Sequence, residues 1–267
     1  MATSKRVNAP RPEVLETGNV LFFYRPTRPS GHPRSSDDVA HVYLALYPDD
    51  QSVHDNRLIA FAEGVFPPVI PEEELPEERE WAVVLETSPS PLGLIGAIEN
   101  LNQPPSSLGQ VPPPARVAGR GRYVVVRRDE RTYFAYGVAE PNQLGPVQQM
   151  LLMEQQAFYQ VRVSEPFAST GIVEPGPPKY PDSLGNKFVG RMTIPVDPTD
   201  FLDYRGSRLY FVAVSTDVFG ELGVRIDALA ENAPVQDALL LLADVARREL
   251  PEHPKELLKP MESGEIV

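Results

Sequence analysis

Thirty prolines in 267 residues, about twice the usual share, constrain this chain more than any other feature. Proline lacks a backbone donor, clashes inside helices and is excluded from central strands. The intervals between prolines must therefore fold as short elements joined by turns and extended connections. Many of those intervals alternate apolar and polar residues, which is the period of a strand.

Arg116–Glu140 is the clearest case. It reads as two alternating strands joined by a tight polar turn at Asp129-Glu130, a hairpin signature. A similar pattern runs through Gly18–Tyr47: the nearly continuous apolar run Asn19–Tyr24 suits a strand covered on both faces, and the alternating run Ala40–Tyr47 follows an Arg-bearing connection. Further strands are expected at Arg57–Phe66, Trp81–Glu86, Ala157–Ser164, Phe188–Val196, Arg208–Thr216 and Val224–Leu229. Pro91–Leu101, with Ser90 as N-cap and Pro91 at N1, reads as a short helix, and Leu144–Met153 as another starting near Pro146. Asn232–Leu250 has the strongest helical periodicity, with Val235, Leu239, Leu242 and Val245 on one stripe. The expected fold is β-rich α+β: two small antiparallel sheet or barrel-like halves with one buried C-terminal helix. The expected boundaries are 13–103 for the first half, a proline-rich linker at 104–114, and 115–267 for the second half with its helix and tail.

Composition narrows function mainly by exclusion. The net charge of −12 opposes non-specific binding to nucleic acid or to an anionic membrane, so nucleic acid could engage only through a local basic region. The absence of cysteine removes disulfides, thiolate catalysis and Cys-based metal sites. The first residues lack an apolar signal core, and no run is long enough to span a bilayer, so a cytoplasmic location is expected. No G-x-S-x-G elbow, phosphate-cradling glycine loop or paired-histidine metal motif is present. No catalytic residue, metal or cofactor is therefore assigned.

The words FFYRP (Phe22–Pro26), GPVQ (Gly145–Gln148) and FLDYRG (Phe201–Gly206) are the ones by which the chain resembles a conserved bacterial family without an assigned activity. The resemblance implies no functional residue. What the residues themselves offer is a concentration of arginine and tyrosine on the Arg116–Glu140 hairpin, with a second Arg-bearing connection after the first strand. A guanidinium matches phosphate or carboxylate with two parallel hydrogen bonds, and a tyrosine ring can stack on a base. The expected function is a non-enzymatic ligand-binding or regulatory module for an anionic group such as a nucleotide or phosphate, through Arg25, Arg28, Arg122, Arg127, Arg128 and Tyr133. Two alternatives stand beside it. One is an enzyme whose site is assembled from scattered residues such as Asp37, Asp38, His41 and His54. The other is a protein-interaction module using the acidic run Glu72–Glu80 and the proline segments. His41 is otherwise expected to pack against Tyr43 and Tyr47.

Overall fold

The computed structural model describes residues 11–28, 33–69, 80–101, 113–166, 175–226 and 259–263. Nine strands make one sheet: β1 (Glu13–Pro26), β2 (Val39–Pro48), β3 (Asn56–Phe61), β4 (Glu80–Ser88), β5 (Arg116–Arg128), β6 (Arg131–Glu140), β7 (Gln156–Ser164), β8 (Thr193–Pro195) and β9 (Arg208–Ser215). All pairings are antiparallel. The sheet closes because β7 pairs with both β9 and β6. Eight strands thus form a barrel in the order β1-β2-β3-β4-β9-β7-β6-β5, and β8 extends β7 over Arg162–Ser164, beyond the reach of β6. Closure leaves the eight barrel strands without a free edge. Where two sheets or barrels were expected, one barrel is found, built from strands on both sides of the 104–114 segment.

The alternation read from sequence becomes an inside and an outside. Val20, Phe22 and Tyr24 of β1 join the interior core with Leu44, Phe61, Phe134, Tyr159 and Phe211. Leu21 and Phe23 face outward against Tyr43, Tyr47 and Leu58, where they are covered by α1 (Pro91–Leu101) and by Met261 of α4 (Lys259–Ser263). A second outer patch, Val124, Val126, Ala135 and Phe158, is covered by a π-helical turn at Val218–Leu222. Both faces of β1 are therefore dry, which is why its sequence is almost continuously apolar.

The hairpin turn lies where expected. Asp129 and Glu130 both have positive φ, 49° and 62°, as a two-residue type I′ turn requires. The helix at Pro91–Leu101 is also found as read. Leu144–Met153 contracts to α2 (Pro146–Met150), and Gly185, the end of the short helix α3 (Asp182–Gly185), leads into a turn at Asn186–Gly190. That turn takes Phe188–Gly190 out of the expected strand Phe188–Val196, of which only β8 remains. The expected strand Arg57–Phe66 stops at Phe61, because the chain bends at Ala62–Val65 and Gly64 passes too close to the Val39 carbonyl for any side chain. Residues 224–226 form no strand. The remainder of that expected strand, the helix Asn232–Leu250 and most of the acidic run lie outside the described residues. Among the described residues no helix is long and apolar enough to cross a membrane.

Candidate functional site

The two ends of the barrel differ. One end gathers the last residues of β1, the first of β2 and β5, and the loop carrying Phe66. The other gathers the start of β1, the β5–β6 turn, the segment around β8, and the 3-10 turn Thr199–Asp203. Both candidate features of the molecule, a cationic cleft and a buried polar network, sit at this second end.

The cleft encloses about 560 Å³, within the ordinary range for small-molecule sites. The hairpin tip supplies Arg127, Arg128, Asp129 and Glu130. Residues before and at the start of β1 supply Arg11 and Glu13. The segment from α3 into β8 supplies Lys187, Arg191 and Asp197. Five cations thus meet four carboxylates in a protein whose net charge is −12. Arg127 bridges two of those carboxylates, donating from Nη1 to Asp197 at 2.7 Å and from Nη2 to Glu13. Arg128 donates to the Glu221 carbonyl and lies 3.7 Å from Asp129. Arg11, Lys187 and Arg191 are exposed and form no ion pair among the described residues. The turn with positive φ at Val189 and Gly190 is what brings Lys187 and Arg191 to the same mouth.

The other expected ligand residues are dispersed. Arg25 pairs in register with His41, whereas Glu13 pairs with Arg127. The twelve steps along the strand from Glu13 to Arg25 span roughly 40 Å, so Arg25 and Arg28 stand at the opposite end from the hairpin tip. Arg122 faces outward along the barrel wall, where it clamps both carboxylate oxygens of Asp49. The ring of Tyr133 is packed edge-on against Phe158 at 5.9 Å. The structure therefore brings together Arg127 and Arg128 of the six, and adds Arg11, Lys187 and Arg191. Sequence spacing held no signal for those three, because they converge through the β8 pairing and not through a local motif.

Beneath the cleft, the barrel interior is sealed by charge. Arg57, fully buried, donates from Nη1 to Glu16 at 2.5 Å and from Nε to Asp203 at 2.8 Å. Tyr123, also buried, donates its hydroxyl to the same Glu16 oxygen at 2.6 Å. Burial opposes the charge on Arg57, but Glu16, Tyr123 and Asp203 together hold it protonated. Burial, followed by the charge on Glu16, pushes Tyr123 well above its ordinary range. His54 completes the network: its Nδ1 is 3.0 Å from Asp203, and its Nε2 is 3.3 Å from Thr199 Oγ1 and 3.6 Å from Glu16.

Carboxylate, imidazole and hydroxyl thus stand in line, an order familiar from hydrolases. Thr199 is only 3% exposed, however, and its hydroxyl is engaged with the His54 ring in the buried network. In this geometry the line of groups closes the barrel floor. His41 lies at the far end, beside Tyr43 at 6.1 Å between ring centres. The constellation of Asp37, Asp38, His41 and His54 is therefore not assembled. Among the described residues no group of three or more His, Asp or Glu side chains is arranged to hold a metal ion.

The network makes stability depend on pH. The hydrogen bond to Asp203 raises the His54 pKa above 6.5, with burial opposing and Glu16 reinforcing. A raised folded-state pKa means that protonated His54 favours the folded state. That contribution is complete below about pH 6.5 and is lost as pH climbs through the higher folded value. Melting temperatures measured from pH 5.5 to 8.5 should fall more steeply across this window in the parent than in His54→Gln. Parallel profiles would show that His54 does not titrate with folding.

The fold and site define a closed, eight-stranded antiparallel barrel with an arginine-rich cleft over one end and a buried ion network beneath it. Compared with protein families, curated proteins and solved structures, the chain matches none.

Proposed function

We propose that the protein is a cytoplasmic, non-enzymatic binding module that recognises an anionic group, such as the phosphates of a nucleotide, in the cleft at the β5–β6 tip. The observation that carries this reading is the convergence of Arg11, Lys187 and Arg191, none of them ion-paired among the described residues, with Arg127 and Arg128 around about 560 Å³. Arg127 is held in place by Glu13 and Asp197, so its fork is oriented before any ligand arrives, which lowers the ordering cost of binding. The strands 13–103 and 115–230 are proposed as two related meanders, since β1 joins β5 and β4 joins β9 with the same antiparallel sense. On this reading the cleft belongs to the second meander and the start of the first.

Thermal-shift measurements against ATP, pyrophosphate and inorganic phosphate test the proposal. A ligand present at a hundred times its Kd should stabilise the fold by about 2.7 kcal/mol, a rise of roughly 5–10 °C for a domain of this size. Lys187→Ala with Arg191→Ala should remove most of the shift. The two residues are exposed, so the unliganded melting temperature should change little. No response to any of the three anions, or an unchanged response in the double variant, would sink the reading.

A further inference from the structure

The cleft and the ion network beneath it are built on the same three elements. Glu13, which lines the cleft and accepts from Arg127, precedes Glu16 of the network on β1. Asp197, the other acceptor of Arg127, leads through Pro198 into the turn that carries Thr199 and Asp203. Arg127 follows Tyr123 on β5. From Glu13 to Glu16 the strand advances roughly 10 Å. At that range a charge inside the barrel still acts on a ligand at its mouth.

The net charge of the network turns on one proton. With His54 protonated, Arg57 and His54 balance Glu16 and Asp203; with His54 neutral, one negative charge is left over. The other titratable groups facing His54 do not supply this change. Tyr123, pushed well above its ordinary range by burial and then by Glu16, stays neutral. The hydrogen bond from the Ser52 side chain lowers Asp50, which is therefore ionised in both states. Burial, followed by Asp203, raises Asp55, so Asp55 is the residue to control for. We propose that His54 is a proton-linked regulator of the cleft, which holds an anion more tightly when His54 is protonated. This rests on the reading of the cleft as an anion site.

The direction follows from the sign of the charge. The hydrogen bond to Asp203 is the first of the causes that raise His54 above 6.5. Below about pH 6.5 the imidazolium is present and the four charges cancel. As pH climbs through the higher folded value the proton leaves, and a buried negative charge appears under the bound anion. One unit charge roughly 10 Å from another, at an effective dielectric between those of a protein surface and water, changes affinity about two- to tenfold. The linkage is reciprocal, so a bound anion raises the His54 pKa by the same factor.

Isothermal titration of the full chain with ATP and with pyrophosphate, from pH 5.5 to 8.5, tests this in the parent, His54→Gln and Asp55→Asn. Protonation of the probe itself is common to all three proteins and cancels in the ratio of their Kd values. The parent should bind about two- to tenfold more tightly than His54→Gln at pH 5.5, and the two should converge at pH 8.5. Asp55→Asn should keep the parent's pH dependence. In a parallel measurement, the His54 imidazole signal followed by NMR should titrate at higher pH when the parent is saturated with pyrophosphate. That experiment decides the matter alone should His54→Gln fail to fold. A Kd ratio between parent and His54→Gln that is constant with pH, loss of the dependence in Asp55→Asn, or a His54 pKa unmoved by pyrophosphate would overturn the regulation while leaving the cleft an anion site. Absence of binding at every pH would overturn both.

Discussion

Arg57→Met is expected to lower the unfolding free energy by about 3–5 kcal/mol, because it breaks a buried ion pair from one side only. Methionine fills much of the same volume, so the loss is electrostatic. Glu16, 6% exposed, would keep only the Tyr123 hydroxyl as a donor from the network, and Asp203 would lose the same guanidinium. Adding Glu16→Gln to Arg57→Met should recover part of the loss, since no uncompensated carboxylate then remains inside. Urea titrations of the two variants and the parent would show this as ordered midpoints with equal slopes. A cost below about 1 kcal/mol for Arg57→Met, in the range of an exposed pair, would mean that the network is hydrated and that the barrel floor is open.

Phe211→Ala is expected to cost a similar amount, about 3–5 kcal/mol, by leaving a cavity in the closed interior. Phe211 lies on β9, the strand that joins β4 to β7 and so closes the barrel. Its ring meets Phe61 of β3, Phe134 of β6 and Tyr159 of β7 at centroid separations of 5.1, 5.8 and 6.0 Å. Rings from three other strands lose contact through one truncation, and a closed barrel cannot collapse far to refill the space. Phe219→Ala is the matched control. That ring is 53% exposed and holds Arg225 over its face at 4.4 Å, so its removal should cost no more than about 1 kcal/mol. Equal destabilisation by both substitutions would argue against a filled, closed interior.

The strands were readable because their local causes are strong. Asn19–Tyr24 is apolar at every position but one, which only a strand buried on both faces tolerates. The turn at Asp129-Glu130 follows from two short polar residues between alternating runs. Ser90-Pro91 announced the start of α1. The misread segments are those where local pattern lost to context. Phe188–Val196 has strand-forming residues, yet its first part bends through Gly190 and only Thr193–Pro195 finds a partner, because β6 already occupies the rest of that side of β7.

The site was less legible. Arg127 and Arg128 could be singled out from their density on a hairpin, but the same reasoning also selected Arg122, which is committed to Asp49, and Arg25 and Arg28, which stand at the other end. Lys187 and Arg191 carry no signal in their own neighbourhood. His54, Glu16, Arg57 and Asp203 meet across separations of up to 149 residues, and no spacing rule reaches that far.

By itself the sequence determined that the chain would be short strands and turns, that both faces of its first strand would be buried, and that cysteine chemistry was closed to it. Those are consequences of side-chain type and period, which act over a few residues. Only the tertiary structure decided that the strands close into one barrel, that Arg127 and not Arg25 shares a cleft with Lys187, and that Arg57 finds two carboxylates. Each of those outcomes rests on which strand pairs with which. Pairing is set by the closure of the whole sheet, where every strand's register depends on its two neighbours.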